Sequence, residues 1–255
     1  MYKNYSEELP VTAEWSGMSD NAYSVEQQVA VAESWTASNN YCDRAERNKD
    51  MSCCISLMDE NEIYIIADSR SIIIEKHGDN VVNKTFSDDY QKIVIVPGTR
   101  IAVFSTGANV FCKTKTFSDI IAELESRDEN DIYREIHEKY DCNDSCFYIA
   151  GFFSDKEMGI IHNDGTKLSV IKNTRQCFCN TIGTPYAAEI IKSLFDYCKN
   201  STENLSKKDF LLNSLQTLCA ISPTIDNTIG GPIQMVRITP EKAEWVDGFK
   251  PDFIK

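Results

Sequence analysis

Residues 51–71 read MSCCISLMDENEIYIIADSRS, and the alternation within this stretch decides the fold. Residues 55–58 and 63–68 are short runs rich in β-branched and apolar side chains. Between them lie Asp59, Glu60, Asn61 and Glu62, a polar turn, so the stretch predicts an antiparallel hairpin. Working outward, residues 92–96 and 101–104 form a second strand pair that turns at Pro97-Gly98. The polar excursion between the two pairs, residues 75–89, reads as a loop turning at Gly78, Asp79 and Asn80.

A helical block follows. Phe117, Ile120, Ile121 and Leu124 recur at helical spacing behind Ser118 and Asp119 as start signals, and a charged helix is expected from Asp128 to Tyr140. Strands are expected again at 146–153, 159–162, 168–171 and 177–182, with Asn163-Asp164-Gly165 as a hairpin turn. Thr184 before Pro185 opens a third helix bearing Ile190, Ile191, Leu194, Phe195 and Cys198. Ser206, three residues before Asp209, resembles a capping box and opens a fourth helix. Strands at 233–239 and 243–246 complete the chain. Strands and helices therefore come in blocks, which favours an α+β fold of antiparallel sheets with segregated helices over an alternating parallel sheet.

Residues 1–50 differ from the rest. They are rich in Glu, Ser and Asn, and only residues 24–35 have a weak amphipathic helical stripe. The expected organisation is an N-terminal extension over 1–50, poorly structured outside that helix, and one domain over 51–255. The extension reads as a propeptide, an interaction arm or an over-long start.

The chain has 255 residues and a net charge of −13, from 39 acids against 26 bases. Such a surface repels phosphate backbones, so no nucleic-acid partner is expected. No apolar run approaches the roughly 18 residues of a membrane span, and the amino end lacks the pattern of a secretory signal. A cytoplasmic location with no membrane contact is the expectation. The ten cysteines then read mostly as small buried hydrophobes. The Cys142/Cys146 and Cys177/Cys179 pairs lack zinc-knuckle spacing. His77, His137 and His162 show neither triad nor ligand spacing. No metal and no cofactor are expected.

The hairpin at 51–71 resembles the opening of proteasome-type N-terminal-nucleophile hydrolases, in which a nucleophile begins the mature chain and the second strand ends in an Asp-Ser-Arg-like motif. Further landmarks of that family stand in order: Gln91-Lys92-Ile93, Ser105-Thr106-Gly107, Ile182-Gly183-Thr184, and Asp226 with Gly230-Gly231. The resemblance spans about residues 51–249. It implies a four-layer αββα sandwich of two antiparallel sheets between two helical layers.

It also implies amide hydrolysis, with a peptide or small amide as substrate and a homo-oligomer or ring as assembly. Counting back from Asp68 without a gap places the nucleophile at Ser52, exposed once Met51 or a leader is removed. Its own α-amine, with a pKa near 8, then serves as base. Lys92 matches the family's basic residue, held charged by Asp68, and Gly107 matches the oxyanion donor. Asp226 and Thr184 match positions that orient the amino terminus. Cys53 is the alternative nucleophile after a one-residue slip of the hairpin. Two positions depart from the family: Ser52 replaces the usual Thr, and Ile229 stands where a hydroxyl residue usually precedes the paired glycines. The alternative reading is a non-catalytic, proteasome-like structural subunit that keeps its N-terminal extension.

Overall fold

The structure is a computed structural model describing residues 52–77, 80–107, 110–111, 115–124, 128–129, 131–132, 135, 145–154, 157–163, 168–172, 178–200 and 206–254. Several sequence readings lie outside these residues. They are the extension 1–50 with its helix, Met51, most of the 128–140 helix with His137, Cys142, Cys177, and the turn residues at 78–79 and 164–165.

The chain is mixed α+β. In order it forms β1 Cys53–Met58, β2 Ile63–Ala67, β3 Ser71–His77, β4 Asn80–Ser87, β5 Ile93–Ile95, β6 Ile101–Gly107, β7 Val110–Phe111 and β8 Lys115–Thr116. Then come α1 Phe117–Ala122, β9 Ser145–Ser154, β10 Glu157–Asn163, β11 Leu168–Lys172 and β12 Phe178–Gly183. Two longer helices, α2 Pro185–Asn200 and α3 Lys207–Ile225, precede β13 Gln234–Ile238 and β14 Ala243–Trp245.

Two five-stranded sheets carry the fold, ordered β12-β1-β2-β13-β14 and β11-β10-β9-β6-β5. Their pairings are antiparallel, and the expected hairpin closes in the register Met58 opposite Ile63 and Cys54 opposite Ala67. Every residue of β1 is buried, because this strand has covered faces on both sides. Successive side chains on a strand point to opposite faces. Cys53, Ile55 and Leu57 therefore join Ile66 and Met235 against apolar side chains of α2 and α3. Cys54 and Met58, with Ile63, Ile65, Ala67, Val236 and Ile238, face the second sheet through Ile93, Ala102, Phe104, Tyr148 and Ile160. A helix layer, a sheet and a second sheet are thus stacked around two apolar seams.

Aromatic pairs mark both seams: Phe195 meets Phe210 edge-on at 5.6 Å, and Phe104 stacks on Tyr148 at 5.1 Å. The expected cap of α3 forms, whereas at the head of α2 only the Thr184 backbone takes part among the described residues. Ser206 is the N-cap of α3 and its Oγ accepts the Asp209 N–H at 3.1 Å. Thr184 O accepts the Ala187 N–H at 3.0 Å at the head of α2.

One segment departs from the sequence reading. The excursion expected as loop is a two-stranded antiparallel ribbon, β3 with β4. Lys76 pairs with Val81 and Lys84 with Ile74, so polar residues interrupt the β-branched runs at 72–74 and 81–82. Among the described residues the ribbon's strands pair only with each other, so backbone hydrogen bonds between β3 and β4 carry its pairing. Among the described residues no helix is long and apolar enough to cross a membrane.

Candidate active site

Asp68 lies immediately after β2, completely buried, and all its oxygen valences point at donors. Its Oδ1 accepts the Cys53 N–H at 3.0 Å and the Lys92 ammonium at 2.5 Å. Its Oδ2 accepts the N–H groups of Arg70 at 3.1 Å and Gly230 at 3.0 Å. Four chain segments are gathered on one carboxylate. Lys92, just before β5, is 1% exposed, so the ion pair crosses between the two sheets in the protein interior. A buried pair of this kind is favourable only with such extra hydrogen bonds, because both ions are stripped of water.

The rest of the Asp-Ser-Arg stretch is equally engaged. Ser69 Oγ donates to Pro232 O at 2.6 Å, and Ser69 N–H donates to Gly230 O at 3.0 Å. Arg70 forms a two-pronged pair with Asp88 at 2.7 and 2.9 Å and reaches Asn227 Oδ1. That guanidinium holds the Asp88 carboxyl below the usual range.

Ser52 sits at the head of β1, next to the peptide that Asp68 holds. It is 6% exposed. Its carbonyl accepts the Thr184 N–H at 3.1 Å. Gly183, paired with Cys53 at φ +127, makes this approach feasible, since a Cβ there would lie 1.7 Å from Ser52 O. Thr184 is itself buried, and its hydroxyl makes no hydrogen bond among the described residues. Burial raises the Tyr186 phenol above its ordinary pKa, with the Asp226 charge adding to the rise.

Asp226 caps the end of α3. Its Oδ1 accepts from Tyr186 OH at 3.0 Å and from the N–H and Oγ–H of Thr228 at 3.1 and 2.8 Å. Tyr186, two residues after Thr184, thus brings Asp226 to the head of α2. Ile229 is fully buried, its side chain is apolar, and its N–H donates to Ser222 Oγ at 2.9 Å. The hydroxyl expected at 229 is absent there, but Thr228 places one on Asp226 one residue earlier.

Gly107 ends β6, opposite Ser145. Cys54 Sγ lies 3.8 Å from Ser105 O, so β6 passes β1 at its Ser52 end, and Gly107 lies two residues beyond that contact. Ser52, Asp68, Lys92 and Thr184 are thus joined by hydrogen bonds through their immediate neighbours, Gly107 lies at the same end of the two sheets, and Asp226 accepts from Tyr186.

Cys53, the alternative nucleophile, lies on the helix-facing side of β1. Its side chain is 0% exposed in the helix-facing seam. Burial first, then the nearby Asp68 charge, push its thiol well above its ordinary pKa, so the reactive thiolate is disfavoured. Cys54, facing the other seam, is pushed up to about 12 by burial. The side chains of His77 and His162, on β3 and β10, lie outside the description.

Sequence reasoning missed Gln234, Tyr186 and Thr228. Gln234 is 0% exposed on β13, and its amide contacts Lys92, Ile93, Ser69 and Tyr90. A lone Gln between apolar residues at the start of a strand was the available signal. Tyr186 follows the helix-opening Pro185, where it reads as an ordinary core aromatic. Compared with known proteins, the chain matches no family model, and no curated protein is significantly similar to it.

Proposed function

We propose that the chain is an amide hydrolase of the N-terminal-nucleophile type, with a peptide or small amide as substrate and Ser52 as nucleophile after cleavage of the 51–52 bond. One observation carries this reading: a buried Lys92–Asp68 pair whose carboxylate also holds the peptide N–H directly after Ser52. A fixed cation beside a serine at the head of a strand is costly to build for structure alone. Its geometric support is that the pair is buried and joins both sheets next to the head of β1.

In this mechanism the Ser52 hydroxyl gives its proton to its own α-amine while Oγ attacks the substrate carbonyl carbon. The Lys92 cation favours the developing alkoxide. The Gly107 N–H stabilises the oxyanion. Collapse of the tetrahedral intermediate breaks the C–N bond, and the α-ammonium returns its proton to the leaving amine. Water then hydrolyses the Ser52 ester by the same route in reverse. Asp226, through Tyr186 and Thr228, together with Thr184, orients the amino terminus.

The αββα arrangement belongs to the same proposal. Its support is a face of the second sheet where Ile101, Val103 and Ile149 are buried on the side opposite the inter-sheet seam. Ile121, Leu124 and Ile132, from the helical block, are buried as well. The test is an intact-mass measurement combined with turnover of fluorogenic peptides. A chain beginning at Ser52, whose Ser52→Ala variant loses on the order of 10³-fold or more in kcat, supports the reading. A folded chain that keeps residues 1–51 and hydrolyses nothing overturns it in favour of a structural subunit.

A further inference from the structure

We infer that Gln234 is a positioning residue, whose buried amide sets the height of Lys92 against Asp68 and so tunes the cation beside Ser52. This inference rests on the function proposed above. Gln234 opens β13 opposite Ala67, the residue before Asp68. Val236 and Ile238, two and four residues on, face the second sheet, and strand alternation turns Gln234 the same way.

Its carbonyl Oε1 accepts the backbone N–H groups of Lys92 at 3.0 Å and Ile93 at 3.2 Å. Its Nε2 donates to Tyr90 O at 2.7 Å and Ser69 Oγ at 2.8 Å. A side-chain amide has two acceptor sites and two donor hydrogens, so all four are used. The amide also has a defined orientation: two donors face one end and two acceptors the other, and a flip would oppose like with like.

The consequence is mechanical. Lys92 is held at two points, its backbone by Gln234 and its ammonium by Asp68. Gln234 in turn holds Ser69, the residue after Asp68. Both partners of the ion pair are therefore referenced to one amide that spans the seam between the sheets. A fully satisfied buried network of this kind is rigid, and a displacement near 1 Å at a reacting group typically costs about 10²-fold in rate.

The test uses the full chain with ε-13C-labelled lysine, the Lys92 signal being assigned by its loss in Lys92→Arg. Gln234→Met keeps the length and removes the amide; Gln234→Glu keeps an acceptor for the Lys92 and Ile93 N–H groups. In a folded Gln234→Met chain the Lys92 Cε signal moves while that of exposed Lys242 stays. Its kcat falls about 10²-fold with KM nearly unchanged, and Gln234→Glu recovers most of that loss. An unmoved Lys92 signal in folded Gln234→Met overturns the inference. If Gln234→Met fails to fold, Gln234→Glu decides: protected Lys92 and Ile93 amides in hydrogen exchange support the inference, and amides exchanging as in the unfolded chain overturn it. Should the wild-type chain show no turnover, the hydrolase reading fails while the Lys92 signal still judges Gln234.

Discussion

Asp68→Asn is the sharpest perturbation available, because Asn has the same shape and differs only in charge and in one acceptor. Oδ1 serves Cys53 N–H and the Lys92 ammonium, and Oδ2 serves Arg70 N–H and Gly230 N–H. An amide presents one oxygen and one NH2, so either rotamer turns two donors against a donor. Hydrogen bonds to charged groups contribute about 1.5–3 kcal/mol each, and leaving one member of a buried ion pair alone costs about 3–5 kcal/mol. These overlap rather than add, which places the expected loss at about 4 kcal/mol.

The assay is urea denaturation followed by circular dichroism. With a slope of about 2.5 kcal/mol per molar, the midpoint falls by about 1.5 M at unchanged slope. Asp88→Asn is the control. Its partner Arg70 is a surface pair, with Asp88 at 44% side-chain exposure, and such pairs are worth about 1 kcal/mol or less. A drop below about 0.4 M for Asp68→Asn refutes the claim that this carboxylate holds four segments together.

Gly183→Ala is expected to cost about 3 kcal/mol or more, since the new Cβ meets Ser52 O at 1.7 Å at a φ of +127. Gly98→Ala, at φ +76 with nothing within 4 Å, should lose only about 1 kcal/mol by thermal unfolding. Equal losses at the two sites would refute the close approach at Ser52. The buried thiols set a pH dependence: Cys54 and Cys219 are pushed up to about 12, and Cys53 is raised too. The unfolded chain ionises first, so it binds fewer protons than the native chain above about pH 9. Stability then declines between about pH 9 and 12, by up to about 1.4 kcal/mol per unit for each such thiol. Urea midpoints under reducing conditions at pH 8, 9 and 10 check this, and a midpoint that holds steady refutes it.

Local pattern was informative where burial is periodic. Residues 55–58 and 63–68 have runs that only covered strands tolerate, and Ser206 with Asp209 marks a helix start by chemistry confined to one turn. The β3–β4 ribbon left a fainter trace, because Glu75, Lys76, Asn83 and Lys84 interrupt its β-branched runs at 72–74 and 81–82. Ile229 shows a second kind of blindness. Position by position it removes a hydroxyl, yet Thr228 brings one to Asp226 because the backbone turns there, with Asn227 at φ +56.

By itself, the sequence determined the antiparallel hairpin at 51–71, the block order of strands and helices, and the candidate chemistry of Ser52, Asp68 and Lys92. The hairpin and the block order follow from residue type and spacing along the chain, whereas the candidate chemistry follows from the family resemblance alone. The tertiary structure alone decided that Asp68 and Lys92 form a buried pair, that Thr184 holds the Ser52 carbonyl, that Cys53 faces the helices, and that Gln234 ties the two sheets. The reason is distance along the chain. Gln234 and Lys92 are 142 residues apart in sequence, and a hydrogen bond across that span exists only after two sheets have packed and excluded water from between them.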